Sequence, residues 1–224
     1  MRKMYSDPLL DPRTTRPPVR SRANFSSDLT PFAVEAFRRR TRRCKHGPSA
    51  PVGAAAGVGD SRMTDSPRDI VAETPKLVLR RHAAADFPAY FDMCADPSMS
   101  RFTGRAPAGS EEAWMRLLRQ AGHWSLFGFG FVAIEEKATG RFVGEAGLGE
   151  FRRRLRPAFD RAPEAGWAIM PWAQGQGYAT EAAAAVLQWT EARFPVPRTV
   201  CLIHVDNAAS IRVAEKLGFT PFGA

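Results

Sequence analysis

Residues 171–181 read Pro171-Trp172-Ala173-Gln174-Gly175-Gln176-Gly177-Tyr178-Ala179-Thr180-Glu181, between an apolar strand from Glu164 to Met170 and a helical pattern from Tyr178 to Phe194. Two glycines one residue apart keep side chains away, so bare backbone N–H groups can approach a phosphate with a helix N-terminus behind them. Further on, Thr199 to Val205 is apolar on both faces, as a buried strand should be, and runs straight into Asn207-Ala208-Ala209-Ser210. There Asn207 opens a helix that Gly218 stops. The two segments together imply a pyrophosphate cradle beside a splayed pair of strands, and so a cofactor carrying a nucleotide. A dinucleotide-binding unit needs a third glycine three residues after the second, and position 180 is Thr.

The order strand, Gln174-Gly175-Gln176-Gly177-Tyr178-Ala179-Thr180-Glu181-Ala182, helix, strand, Asn207 to Phe219 resembles the GNAT superfamily of N-acetyltransferases, most closely the branch with the ribosomal-protein N-acetyltransferases. The resemblance spans roughly residues 75–222 and is most specific between Glu164 and Phe219. It implies an α/β fold whose central, mixed, mostly antiparallel sheet splays at the cofactor site and is flanked by helices. It also implies acetyl-CoA as cosubstrate and transfer of its acetyl group to a primary amine. By the same resemblance, backbone groups of Gln174, Gly175, Gln176, Gly177, Tyr178 and Ala179 hold the pyrophosphate. A backbone N–H near Ile169 or Met170 faces the thioester oxygen, and Asn207 binds the pantetheine arm. Asn is also a favoured helix cap, and the two roles of Asn207 are compatible.

Three departures from the family pattern stand out. Trp172 occupies the place where the family usually has Gln or Arg. Ala214 occupies the place of a Tyr that often serves as general acid. A further C-terminal strand is missing after Phe219, so the sequence leaves a sheet edge unpaired and reads as a fragment.

The 224 residues suffice for one core and a tail, and their charge of +9 is uneven. Residues 1–62 hold 13 Lys and Arg against 5 Asp and Glu, whereas residues 63–224 hold 19 against 18. The first quarter is rich in Pro, Ser, Arg, Gly and Ala, with one helix-like stretch from Pro31 to Arg43. The expectation is a disordered basic tail over residues 1–69 and a GNAT domain over 70–224, with residues 1–62 dispensable to the fold. The run Arg38-Arg39-Arg40-Thr41-Arg42-Arg43 reads either as a solvated tail or as weak, non-specific attachment to nucleic acid or the ribosome. The N-terminus lacks an apolar signal region, no run of 18 apolar residues exists, and Cys44, Cys94 and Cys201 are scattered. A cytoplasmic protein with no membrane span and no metal is expected.

Elsewhere the pattern gives a strand at Lys76 to Arg81, a helix at Ala83 to Cys94, and a helix capped by Ser110. A hairpin joins Phe129–Glu135 to Arg141–Leu148. Acetyl transfer to an amine needs a base, a donor for the oxyanion and a proton for the leaving thiolate. Glu164, where GNAT bases often sit, and Glu145, a carboxylate between Gly144 and Gly147 in an apolar strand, are the candidate bases; an arginine partner or edge exposure would explain either one equally well. Ser210, a water or another Tyr must supply the thiolate proton, although Ser210 also reads as a polar residue on an exposed turn. His204 reads as a core or cleft residue, while His82 and His123 stand isolated. Arg152 to Arg156 reads as a solvated loop or as a site for an acidic acceptor. With no Cys placed as an acyl carrier, direct attack in a ternary complex is expected. An acyl-CoA-binding domain without turnover, or a nucleic-acid-associated protein acting through the tail, are the alternatives.

Overall fold

The computed structural model describes residues 34–40, 69–153 and 162–222. Eight strands form one sheet in the order β2-β3-β4-β5-β6-β7-β1-β8. In chain order they are β1 (Val34–Arg40), β2 (Ile70–Glu73), β3 (Leu77–Arg80), β4 (Phe131–Glu136), β5 (Phe142–Gly149), β6 (Glu164–Ile169), β7 (Arg198–His204) and β8 (Thr220–Pro221). The helices are α1 (Phe87–Ala95), α2 (Pro97–Ser100), α3 (Ser110–Phe127), α4 (Tyr178–Arg193) and α5 (Ala208–Lys216). The β4–β5 hairpin falls where the sequence places it, with Gly140 in the left-handed region at φ +69°.

Successive side chains of a strand point to opposite faces, and β6 shows what each face carries. Ala165 and Ile169 join the main core with Tyr178, Ala182, Val186 and Leu187 of α4. Ala168 packs on the other face with Tyr90 and Met93 of α1 and Leu117 of α3. The sheet is therefore a layer between α4 and the α1/α3 pair, as a two-faced strand pattern demands.

All neighbouring strands are antiparallel except β6 and β7, which run parallel and share one registered pair, Glu164 with Val200. A backbone bond from Val200 N to Pro163 O at 3.0 Å closes that end. Beyond it the two strands diverge, which opens the sheet toward their C-terminal ends.

One expectation is corrected. Val34–Arg40 is a strand, not part of a helix over residues 31–43, and the edge beyond β7 is not unpaired. β1 pairs antiparallel with all of β7, from Val34 opposite His204 to Arg40 opposite Arg198, and on its other side with β8. Phe37, 1% exposed, enters the main core opposite Cys201 and Pro221. Phe222 N donates to Ala36 O at 2.7 Å, and Arg39 is ion-paired with Glu191 of α4. The backbone requirement of a sheet edge outweighs the weak helical period of this stretch. The remainder of the expected tail, residues 1–33 and 41–68, lies outside the described residues, as do residues 154–161 of the basic loop. Two smaller differences concern local structure: β2 and α2 have no counterpart in the sequence reading, and the cap of α3 is Gly109, with Ser110 as its first residue.

Candidate active site

The divergence of β6 and β7 holds a cleft of about 590 Å³, in the usual range for a small-molecule site. Its floor is the strand pair, with Gly166, Trp167 and Ala168 on one side and Leu202, Ile203 and His204 on the other. At its mouth stand Gln174, Gly175, Gly177, Tyr178, Ala179 and Thr180.

Gly175 and Gly177 adopt φ +79° and +86°, and a Cβ on either would meet no atom within 4 Å. Those torsions are strained for other residues, and the space beside them is open. Gly177 is the cap residue of α4 and supplies no side-chain hydrogen bond. The first-turn N–H groups of α4 therefore face the cleft without a capping side chain, with the positive end of the helix dipole behind them. A phosphate fits this cradle. Gln174 Nε2 donates to Ile169 O at 2.9 Å and so fastens the loop to the end of β6. The Gln176 side chain points away, toward Trp172 O at 3.4 Å, and is outside the cleft lining.

Register decides which β6 amides are available. Met170 N donates to Val143 O at 2.9 Å, so the Met170 N–H is engaged and cannot meet a thioester oxygen. The alternation of an antiparallel ladder turns Ile169 the other way, toward the cleft. Ile169 lines the cleft and Met170 does not.

On the opposite wall Asn207 Oδ1 accepts from Ser210 N at 3.1 Å, which makes it the cap of α5. Its amide N–H groups leave it able to serve the cleft it also lines. Ser210 Oγ accepts from Trp167 Nε1 at 3.3 Å, a hydrogen bond that crosses from α5 to β6. Arg212 and Lys216, one turn apart on α5, bring positive charge to the same wall. Their spacing was visible in the sequence, but the face they share became evident only with α5 placed against the cleft. Phe102 and Thr103, after α2, close the far side, with the Phe102 ring 5.6 Å from that of His204.

The two candidate carboxylates stand apart from each other and from the cleft lining. Glu164 is clamped by Arg153, Nε to Oε2 at 2.6 Å and Nη2 to Oε1 at 3.0 Å. Glu145 stands opposite Ala168, which lines the cleft. Its neighbour Gly144 has φ +147°, and a Cβ there would come 2.1 Å from Ala168 O, which accounts for the glycine. Around Glu145 are Gln120 Nε2 at 3.4 Å and His82 Nε2 at 3.3 Å. Burial pushes the Tyr90 phenol well above its ordinary value, with Glu145 and Cys94 adding to the effect. Burial likewise raises the Cys94 and Cys201 thiols, so neither is a ready nucleophile. Trp172 lies outside the cleft and carries the Arg141 guanidinium 3.8 Å above its ring. Among the described residues, no group of His, Cys, Asp and Glu is placed to hold a metal, and no helix is long and apolar enough to cross a membrane.

A cleft between two diverging parallel strands, with a Gly-x-Gly helix start at its mouth, defines an acetyl-CoA-dependent acyltransferase of the GNAT class. Residues 76–220 match the family model described as an acetyltransferase (GNAT) domain, and the chain belongs to that family. It is similar to a GNAT-family acetyltransferase of Bordetella pertussis, at 34% identity and a TM-score of 0.61, over 68% of this chain and 89% of that one. An acetyltransferase of Agrobacterium tumefaciens is 31% identical with a TM-score of 0.57, over 72% and 88%. The Bacillus subtilis N-acetyltransferase YoaA is 25% identical over 68% of this chain and 84% of its own length. Against YkkB of the same organism the chain is 34% identical over 92 residues, about half the length of that relative. The ribosomal L7/L12 α-N-protein acetyltransferase RimL, solved with coenzyme A, shares the fold at 20% identity and a TM-score of 0.55. Acetyl-CoA is the cosubstrate.

Proposed function

We propose that this protein is an N-acetyltransferase that moves the acetyl group of acetyl-CoA to a primary amine by direct attack in a ternary complex. The observation that carries the reading is the cleft between β6 and β7, entered beside the uncapped N-terminus of α4. Acetyl-CoA brings an activated thioester, and the protein does the remainder. Gly175, Gly177 and the first turn of α4 hold the phosphates, with Gln176 contributing backbone only. The Ile169 N–H meets the charge that develops on the carbonyl oxygen. Asn207 orients the pantetheine arm, and Ser210 returns a proton to the leaving thiolate.

Glu145 is the base favoured by the geometry. Both oxygens of Glu164 are held by Arg153, and a carboxylate so occupied is a poor proton acceptor. Among the described residues no Arg or Lys pairs with Glu145, and its strand partner Ala168 lines the cleft.

The acceptor is a protein N-terminus, as in the RimL reaction named above, or a small amine, as in the spermidine N-acetyltransferase of Vibrio cholerae, which shares the fold at 18% identity. Partial desolvation, together with the neighbouring Arg116, Arg119 and Arg153 guanidiniums, pushes the otherwise exposed Arg105 below its ordinary value, with Glu112 acting in the opposite direction. This gathering of guanidiniums, partly offset by Glu112 and Glu164, favours an acidic acceptor, a ribosomal protein included. The test is thiol release from acetyl-CoA with polyamines, amino acids, and acidic and basic peptides with free N-termini. Release that no amine raises above slow hydrolysis, in protein that binds CoA, would leave a binding domain without turnover as the correct reading.

A further inference from the structure

We propose that His82 is the proton partner of Glu145, so that a buried imidazole–carboxylate pair, not a lone carboxylate, takes the proton of the acceptor amine. The inference rests on the reading of Glu145 as base. His82 follows β3, its side chain is 1% exposed, and neither ring nitrogen has an aligned hydrogen-bond partner. Nε2 lies 3.3 Å from Glu145 Oε2 and Nδ1 lies 3.9 Å from Asp86 Oδ2. Tyr90 meets the ring edge-on at 5.3 Å, and Phe142 stands 6.3 Å away. A buried imidazole without partners is costly and calls for a reason.

The surrounding charges supply one. Arg80 binds both Asp86 and Glu135, and Ala83 N also donates to Asp86 at 2.8 Å. Arg80 thus bridges two carboxylates, and Glu145 stands on the same face of the sheet as Arg80. Tyr90 and Cys94 on α1 are both held neutral by burial. On α3, Arg116 pairs with Glu112, and Arg119 lies near Tyr90. Among the described residues, His82 is the group paired with Glu145 that gains a positive charge when it takes up a proton. For Nε2 to accept a proton, the neutral ring must carry its hydrogen on Nδ1, the nitrogen that faces Asp86 Oδ2 at 3.9 Å.

The proton then follows a balanced path. The ammonium R–NH3+ gives a proton to the Glu145 carboxylate, which leaves R–NH2 with a lone pair for attack and Glu145 as the acid. Glu145 passes the proton across 3.3 Å to His82 Nε2, which restores the carboxylate beside an imidazolium. After product leaves, the same two groups return the proton to water. His82 never touches substrate and is a positioning residue that acts through Glu145.

The test compares wild type, His82→Gln, Glu145→Gln and the double variant with a good amine acceptor, after a CoA-induced rise in melting temperature has shown each to be folded. Each single variant is expected to lose about 100-fold in kcat at neutral pH and to recover in alkali, where free amine is abundant. KM for acetyl-CoA should hold, and the double variant should be no slower than either single one. A kcat loss in His82→Gln that is equal at every pH, or a fully additive double variant, overturns the proposal. If Glu145→Gln itself leaves the pH profile unchanged, the base assignment fails instead. Should His82→Gln not fold, nitrogen NMR of the histidine side chains decides the question. The Nε2 signal of His82 must move on Glu145→Gln, and an unmoved signal overturns the pairing.

Discussion

Trp167 Nε1 donates to Ser210 Oγ at 3.3 Å, joining the two walls of the cleft. An indole N–H donates only, so Ser210 accepts on that side and its own proton points elsewhere in the cleft. Trp167→Phe keeps a ring but removes the donor. We expect a fall in kcat of about 10-fold, the scale of one hydrogen bond, with KM for acetyl-CoA almost unchanged. Ser210→Ala should add little to it. Fully additive losses in the double variant would mean that the two residues act separately.

Gly175→Glu places bulk and negative charge in the open space beside the α4 N-terminus, at a backbone angle of φ +79°. The rise in melting temperature with CoA should vanish in this variant. Gly177→Ala, at φ +86°, should cost about 1 kcal/mol through backbone strain alone. Undiminished CoA affinity in folded Gly175→Glu would remove the cradle from the site.

Asn207→Ala should cost about 1 kcal/mol by loss of the cap on α5. Asn207→Asp keeps an acceptor for Ser210 N but loses the amide donors. Calorimetry with CoA separates the two roles: weaker binding in Asn207→Asp means the side chain serves the cleft, and wild-type binding means it serves only the helix.

Asp86 gives the fold an acid-sensitive contact. Burial on its own would raise its pKa, but hydrogen bonds from Arg80 and Ala83 N outweigh that and hold it below the ordinary value. A carboxylate so lowered stabilises fully above its unfolded pKa of about 3.9, and the contribution disappears as pH falls through the lower folded value. Asp86→Asn should therefore be less stable than wild type at pH 7, by about 3 kcal/mol, and the gap should close in acid. Urea titrations between pH 7 and 2 check this; a constant gap would mean that the loss is not electrostatic.

Deletion of residues 1–62 removes β1, and with it Phe37 from the core. Where the sequence alone made this stretch dispensable, the truncated protein should now be insoluble or much less stable. Phe37→Ala in the full chain should cost about 3 kcal/mol. A truncated protein that melts as the full chain does would show that the sheet does not need this strand.

How legible the molecule was depends on how far apart the contributing residues lie. Gly175, Gly177 and the start of α4 are neighbours in sequence, and the loop could be read as a loop with a mechanism. The β4–β5 hairpin and the Asn207 cap are local in the same way. β1 was missed because its partners, β7 and β8, come from the far end of the chain, and seven residues ending in three Arg carry no sign of them. His82 looked isolated for the same reason, since Glu145 and Asp86 meet it only once β3, β5 and the turn before α1 are assembled. The Met170 N–H seemed available because the register that engages it with Val143 is a property of the sheet.

The position of β1 also governs the order in which the molecule can be made. β1 is synthesised before every other strand of the sheet, yet its registered partner β7 is nearly the last. On the ribosome this strand must wait, unpaired, while the body of the domain emerges and folds. The entropy of so large a closure grows only slowly with length, so the finished sheet loses little stability by it, but contacts this distant slow the final step. Until that step, β7 presents a bare edge to any other extended chain. The interval between completion of β7 and capture of β1 is when this protein is most exposed to aggregation or to strand exchange with another copy.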